Sequence, residues 1–250
     1  MSMERFLLNR REVRLTDHER QVLEEAVTDV VDFEARMTLI KAGDPVSVST
    51  MLVEGFMSRF IDDRKGLRQL VAIHVAGEFV DLHAFPMTVL DHNVGTLTAA
   101  RIAIVPHSAL RRIIADYPEL ARKLWFSTLL DAAMHRAWLF RVGRLDAVGR
   151  VAHFLSEMNA RLEAVGLSDG AHFSLGITQA DLAEVCGLTS VHTNRVMRQL
   201  REMGLCLFRA SAVDILDRPG LERRGNFNPD FLFLESRPDA AEGARSAHHD

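Results

Sequence analysis

From about Val30 to Val105 short apolar runs alternate with turn signals. KAGDP (41–45), VEG (53–55), DDRKG (62–66) and VAGE (75–78) separate MTLI, FMSRFI, LRQLVAIHV and VGTLTAARIAIV. Spacing of this kind predicts a small antiparallel β-barrel or roll. DDRKG suits a hairpin loop, because Asp and Gly tolerate a tight backbone. Ahead of the strands, TDHERQVLEEAV (16–27) reads as a short helix. Thr16 is placed to cap it, and Glu19, three residues on, completes a capping box.

After Pro106 the period changes to helical. Ser108 is placed to cap ALRRIIADY, and Pro118 suits the first turn of a longer helix, where its missing N–H costs nothing. That helix runs to about Arg141, roughly 24 residues or about 36 Å. Leu120, Leu124, Ser127, Leu130 or Asp131, Met134, Ala137 and Arg141 follow at spacings of three and four. The stripe suits packing on the barrel or a two-helix seam with a second copy. Gly143 is a candidate hinge. Leu145–Leu162 reads as an amphipathic helix with Val148, Val151, Ala152, Leu155, Met158 and Leu162 on one side. GLSDGAHFSLG is turn-rich. Farther on, strands LCLF and VDIL flank RASA, Asp217 and Pro219 open another helix, and DAAEGARSAHHD has a disordered composition. The expected division is 1–117 for the roll, 118–142 for the connecting helix, 143–225 for a C-terminal domain and 226–250 for a flexible tail.

Composition narrows the class. The 250 residues are 48% apolar and 26% charged, ordinary for a globular protein, with a net charge of −4. Nucleic-acid binding would need a local basic surface. Cys186 and Cys206 are the only cysteines in the sequence, too few for a disulfide framework or a four-thiolate cluster, and read as buried thiols. No apolar run reaches the ~18 residues of a membrane span. MSMERFLLNRREVRL carries charges where a signal peptide needs an apolar core. A cytoplasmic protein without membrane contact is expected.

The chemistry concentrates between Thr178 and Gly204. Thr178 caps QADLAEVC, whose apolar side is Ala180, Leu182, Ala183, Val185 and Cys186, and Gly187 ends it. Thr189 caps the next helix. There Thr193, Val196, Met197 and Leu200 form one face, while Ser190, Val191, Asn194, Arg195 and Arg198 form the opposite, polar and basic face. This is a helix-turn-helix, and RASA between two strands supplies its wing. Double-stranded DNA is the expected partner, with contacts from Gln179, Thr189, Ser190, Val191, His192, Asn194, Arg195 and Arg198. Arg195 suits a guanine edge or a phosphate, Asn194 an adenine edge or the backbone, and Val191 a thymine methyl. Thr189 and Ser190 suit phosphate at the helix N-terminus, and His192 points obliquely toward phosphate.

In its order of parts the chain resembles the Crp/Fnr family of bacterial transcription regulators over about residues 20–220. TLIKAGDP, VEG, LVAIHVAGEF and RIAIV resemble the family's cyclic-nucleotide-binding-type β-roll. GRVAHFL and ITQADLAEVCGLTSVHTNRVMRQLREMGL resemble its winged helix-turn-helix. The resemblance implies an α+β fold: an N-terminal antiparallel β-roll (a cupin-like jelly roll), a long connecting dimerisation helix and a C-terminal winged helix-turn-helix. It implies a homodimer on a palindromic operator, RNA polymerase as a further partner, and a signal received by the roll. Family base-reading positions fall at Ser190, Val191 and Arg195; the Arg matches, whereas Ser and Val stand where the family often has Arg and Glu. A different operator follows, since Val accepts no hydrogen bond from cytosine.

The same resemblance places an effector pocket at Gly77, Glu78, Asp81, His83 and His92. The stretch FPMTVLDHNVGTLTAA has no Arg before Arg101, and Asp91 and His92 stand where a phosphate clamp would be. Without a guanidinium, cyclic nucleotide is not expected as the ligand. An Fnr-type iron–sulfur cluster is excluded, because the N-terminal half has no cysteine. Haem stays open through His74, His83, His92 and His107, whose spacings of nine, nine and fifteen match no standard ligand pattern. No cofactor is therefore assigned. Two other classes stay in view. One is an interaction module that uses the helix-turn-helix surface for a protein, which weak salt dependence would reveal. The other is a cupin-like enzyme built on Glu78, Asp81 and His83, which needs a metal or an acid/base pair; alternation would put Asp81 and His83 on one face of a strand. The regulator, not an enzyme, is the expectation.

Overall fold

Strands form wherever apolar residues alternate between two faces, and their partners show what each face covers. The computed structural model describes residues 2–11 and 13–235. Helix α1 (Asp17–Ala26) is capped as expected, Thr16 and Glu19 each satisfying the other's backbone N–H. Seven strands then make two antiparallel sheets. One orders β1 (Asp29–Phe33), β7 (Ala100–Pro106) and β3 (Val48–Glu54). The other orders β2 (Thr38–Ile40), β6 (Asn93–Thr96), β4 (Met57–Asp62) and β5 (Arg68–His74). Leu52, Met57, Leu90, Val94 and Ile102 fill the space between the sheets. In the 62–66 loop Asp63 Oδ1 accepts from the backbone N–H groups of Lys65 and Leu67, which fixes the hairpin. The run 94–105 is two strands rather than one, because the chain turns at Leu97–Ala99 between β6 and β7.

After the short α2 (Ala84–Met87) and the roll's last strand, α3 (His107–Asp116) leads into α4 (Pro118–Arg144). Pro118 takes the first position of α4 as expected. Ser108 is not the cap of α3; the cap position is Pro106 and no side chain satisfies it. Gly143 is not a hinge: it lies inside α4, and the chain bends instead at extended Leu145. Asp146 then caps α5 (Ala147–Ala164).

Helix α5 is covered on every side rather than one. All of 151–162 is buried, including His153, Glu157, Asn159 and Arg161. Its charged face survives burial because each charge has a partner. Arg161 donates to Glu78 at 2.7 Å, to Glu157 at 3.0 Å and to the Ile73 carbonyl at 2.7 Å. Glu157 accepts the Trp138 indole at 2.8 Å. Arg141, fully buried, lies over the Trp138 ring at 4.2 Å and donates to the Val185 carbonyl at 2.9 Å. One apolar core runs from Leu70, Ile73 and Leu97 in the roll through Phe154 and Met158 to Leu182 and Val196.

The C-terminal domain adds β8 (His172–Ser174), α6 (Gln179–Cys186), α7 (Ser190–Glu202), β9 (Cys206–Arg209), β10 (Ala212–Ile215) and α8 (Arg218–Arg224). β8 corrects the reading of 166–176 as turns alone; it joins the sheet in the order β8, β10, β9. The expectation of a flexible tail from residue 226 is also corrected. Residues 226–235 pack, with a 3₁₀ turn at Pro229–Leu232 and Leu232 fully buried against Met134 and Ala160. DAAEGARSAHHD lies outside the described residues.

Candidate DNA-recognition surface

Capping fixes where each helix of the pair begins. Thr178 accepts from the Asp181 N–H, and the Asp181 carboxylate returns to the Thr178 N–H at 2.8 Å. Gly187, at φ +62°, ends α6 in the left-handed conformation that a side chain resists. Thr189 then caps α7 by accepting from the His192 N–H. Leu182, Ala183, Val185 and Cys186 of α6 are buried as expected, but Ala180 is exposed.

Two sides of α7 divide cleanly. Thr193, Val196, Met197 and Leu200 are buried, and Thr193 Oγ1 donates back to the Thr189 carbonyl at 3.1 Å. Ser190, Val191, His192, Asn194, Arg195 and Arg198 are exposed, as are Gln179 and Thr189. Val191 is 75% exposed, a β-branched apolar side chain that the described residues leave uncovered. Among the described residues Arg195 has no ion-pair partner, and Arg198 only a distant one in Glu202 at 3.9 Å.

Two further cations join this face that the spacing argument did not single out. Arg201 extends the exposed row by three residues, and Arg209 stands at the wing. With Gln179, Asn194 and Arg198 they line one groove of about 180 Å³ between α6, α7 and the wing. The wing turn is tight because Ala210 and Ser211 both adopt positive φ, 47° and 70°. Helical periodicity could have found Arg201, and Arg209 is the first residue of the RASA wing already read from the sequence.

The pair of helices is held to the roll by charge. Asp181 is buried and receives Arg36 at 2.6 Å and Arg68 at 2.8 Å. Arg68 also reaches Glu184 at 2.8 Å. Burial alone would raise the Asp181 carboxyl, but these hydrogen bonds hold it at about 2. The same carboxylate therefore caps α6 and anchors it to the roll. Both cysteines are buried, and burial pushes Cys186 up to about 11 and Cys206 up to about 12, as befits core thiols.

The expected effector residues divide, with Gly77, Glu78 and Asp81 taken up by packing and hydrogen bonds, and His83 and His92 side by side. Gly77 sits at φ +92° with its α-carbon against the Arg5 carbonyl, an approach that leaves no room for a side chain. Glu78 turns toward α5; burial opposes its charge, but Arg161 holds the carboxyl far below the usual range. Asp81 is fully buried, accepts from the Thr50 N–H at 2.5 Å, and is pushed up to about 7 by burial. His83 is not on a strand with Asp81; it precedes α2, and its ring lies 5.3 Å from that of His92. Burial, with Arg59 nearby, lowers His83 to about 3. His74, buried beside Glu78 at 3.2 Å, is lowered to about 4 by burial. Among the described residues no group of three His, Cys, Asp or Glu side chains is arranged to hold a metal ion, and no helix is long and apolar enough to cross a membrane.

Comparison with known proteins agrees with this geometry. The model of the Crp-like helix-turn-helix domain matches residues 149–224. The chain is similar to the transcriptional regulatory protein btr of Bordetella pertussis, 24% identical over 213 residues that cover 84% of this chain and 87% of that protein. It is similar to the nitrogen fixation regulation protein FixK of Bradyrhizobium diazoefficiens, 25% identical over 198 residues covering 77% and 80%. In fold it is similar to FixK2 from Bradyrhizobium japonicum, with a TM-score of 0.71 at 22% identity, covering 78% of this chain and 96% of that one. These relatives are regulators rather than enzymes. A roll feeding a long helix, and a winged helix-turn-helix with its basic face free, fit a DNA-binding transcription regulator whose C-terminal part is a Crp-like helix-turn-helix domain.

Proposed function

We propose that the chain acts as a homodimer on a palindromic operator, under the control of a signal received by the β-roll. The observation that carries the DNA half of this reading is the division of α7, four side chains buried and the basic row free. Arg195 reads a guanine edge, Val191 meets a thymine methyl, and Asn194 bonds an adenine edge or the backbone. Gln179, Thr189, Ser190, His192 and Arg198 contact the sugar-phosphate backbone, and Arg201 and Arg209 extend that contact to the wing.

Support for the dimer comes from α4. Of the stripe expected from the sequence, Leu120, Leu124, Leu130, Met134 and Arg141 are buried in intrachain packing, and Ser127, Asp131 and Ala137 are half-buried. A second stripe, Trp125, Leu129, Ala132, Arg136, Leu139 and Gly143, advances by four and three alternately along the outer face. Trp125 is 67% and Leu139 76% exposed. That spacing is a two-stranded seam, and a twofold pairing through it would set two α7 helices toward half-sites about one helical turn apart.

The signal is open. Arg59, the guanidinium inside the roll, is committed to the Val80 carbonyl and to Asp131, both at 2.6 Å. Arg101 pairs outside the roll with Asp32. That supports a signal other than a cyclic phosphate. The space beside His74 is about 10 Å³, room for a water and not for a macrocycle, which speaks against haem on that histidine. RNA polymerase contact and a cytoplasmic setting belong to the same proposal. Selection of duplexes from a random pool, followed by footprinting, tests the reading. Two inverted half-sites protected by a species of dimeric mass are expected; protection of a single half-site by a monomer overturns it.

A further inference from the structure

The match to the Crp-like domain ends at residue 224, and the segment that follows is built into the fold rather than trailing from it. Gly225 begins it against α5. A side chain there would meet the His153 backbone N at 2.4 Å, and the Gly225 carbonyl pairs with His153 Nδ1 at 3.0 Å. Phe227 and Phe231 close over the same ring, with centroids at 5.3 and 6.3 Å. Leu232 then fills the gap between Met134 of α4 and Ala160 of α5. Phe233 meets Phe126 of α4 edge-on at 5.7 Å.

The far end of the segment grips the N-terminus of the chain. The Arg11 N–H donates to the Phe233 carbonyl at 2.7 Å, and the Glu235 N–H to the Asn9 carbonyl at 3.0 Å. Buried Arg10 donates to the Leu232 carbonyl. That N-terminal segment in turn holds the end of α5, since Asn9 donates to the Ala164 carbonyl at 2.8 Å and Arg5 to the Val165 carbonyl at 3.2 Å.

We propose that residues 225–235 are a brace that fixes the angle between α4 and α5, and so the spacing of the two recognition helices. The chain bends at Leu145–Asp146, and the brace joins the two helices well away from that bend. Met134 stands about 15 Å along α4 from the bend and Ala160 about 20 Å along α5, at 1.5 Å per residue. A contact at that distance resists rotation far better than the bend itself; about 1 Å of slack at about 15 Å permits only about 4°. α5 carries the winged helix-turn-helix and α4 carries the outer seam. The brace is therefore a positioning element for DNA reading, with no contact to DNA of its own.

This inference rests on the two-helix operator reading above. The test compares the full chain with Leu232→Asp, which expels the brace without touching the winged helix, and with a chain ended after Gly225. The probes are duplexes selected with the parent, their single half-sites, and the same half-sites respaced by one to six base pairs. Sedimentation gives the mass of each protein. The parent binds its selected spacing at least about tenfold more tightly than altered ones, because the second half-site is met at a high effective concentration. In both variants the dimer persists and half-site affinity stays within about twofold, but discrimination among spacings collapses to within about threefold. A dimeric parent whose spacing profile survives in both variants overturns the brace alone. Half-site affinity falling together with thermal stability overturns it too, making the segment merely part of the domain's fold. A monomeric parent overturns both the brace and the dimeric reading.

Discussion

Replacing Glu78 by Gln probes the buried charges that join the roll to α5. Glu78 and Glu157 face Arg161 and Arg141, and buried Arg10 lies within electrostatic reach of Glu78 and Arg161. Arg161 is 1% exposed and lies between the two carboxylates at 2.7 and 3.0 Å. Arg141 and Glu157 are fully buried 3.7 Å apart. The substitution removes one of the two carboxylate charges that offset these buried arginines. Breaking a buried pair by removing one partner costs about 3–5 kcal/mol. Gln keeps one acceptor for Arg161, which puts the loss near about 3 kcal/mol. In urea, with m of about 2–3 kcal/mol/M, the midpoint should fall by about 1 M. Fluorescence reports on the right place, because the buried Trp138 indole donates to Glu157.

The pH dependence supplies a second arm. Glu78 is held far below its ordinary range by Arg161. Its folded pKa is lowered, so its stabilisation is present above about pH 4.3 and is lost as pH falls below that. Gln does not titrate there. The difference between parent and variant should hold steady from pH 7 to about 5 and narrow below about 4. A loss under about 1 kcal/mol at pH 7, or a gap unchanged at low pH, would refute the account of why α5 tolerates burial on all sides.

Asp81→Asn should move the other way. The folded pKa of Asp81 is raised to about 7, so its neutral form is favoured below that and the buried charge destabilises as pH rises toward it. The variant should gain on the parent between about pH 4 and 7, by up to about 1.4 kcal/mol per unit, and the gap should level off above that; urea midpoints that keep a constant gap from about pH 4 to 7 contradict this. Leu139→Asp alters an exposed side chain, so the thermal midpoint of the subunit should be unchanged while self-association weakens at least about tenfold, roughly 1.4 kcal/mol. Sedimentation equilibrium reads it, and an unaltered dimer removes the seam. Arg68→Ala and Glu184→Ala should couple by about 1 kcal/mol or less in a double-mutant cycle, since the pair is only partly buried. The coupling should fade in about 1 M salt, and a salt-independent value would argue against a charge anchor.

What could be read from the sequence was what depends on near neighbours. Thr16 and Glu19 lie three residues apart and form the box that the spacing implies, and Thr178 caps α6 as read, with a return bond from Asp181 that was not read. The two faces of α7 follow from the 3.6-residue period alone, so Arg195 was found with Val196 already turned inward. Readings failed where burial is decided by distant residues. Thr178 was legible as the cap of α6, but the partners of Asp181 were not: Arg36, which spans both its oxygens, and Arg68 come from the roll. Glu157 and Arg161 look like a solvated face until Trp138, Arg141 and Glu78 arrive to pair with them. The brace went unread because Pro, Asn and Asp interrupt Phe227, Phe231 and Leu232, and its pocket is made by Met134 and Ala160. On α4 the inner stripe was found first because it is the more apolar, while Arg136 and Gly143 disguise the outer one.

The central claim is that the free face of α7 reads base sequence. Its most direct measurement is the affinity of the parent and of Arg195→Ala for a selected operator and for a random duplex, over a range of salt. The account predicts a loss of about 1–3 kcal/mol on the operator, relaxed preference at one base position, and little change on random DNA. An equal loss on both duplexes, with the salt slope falling by about one, would make Arg195 a phosphate contact and contradict the claim.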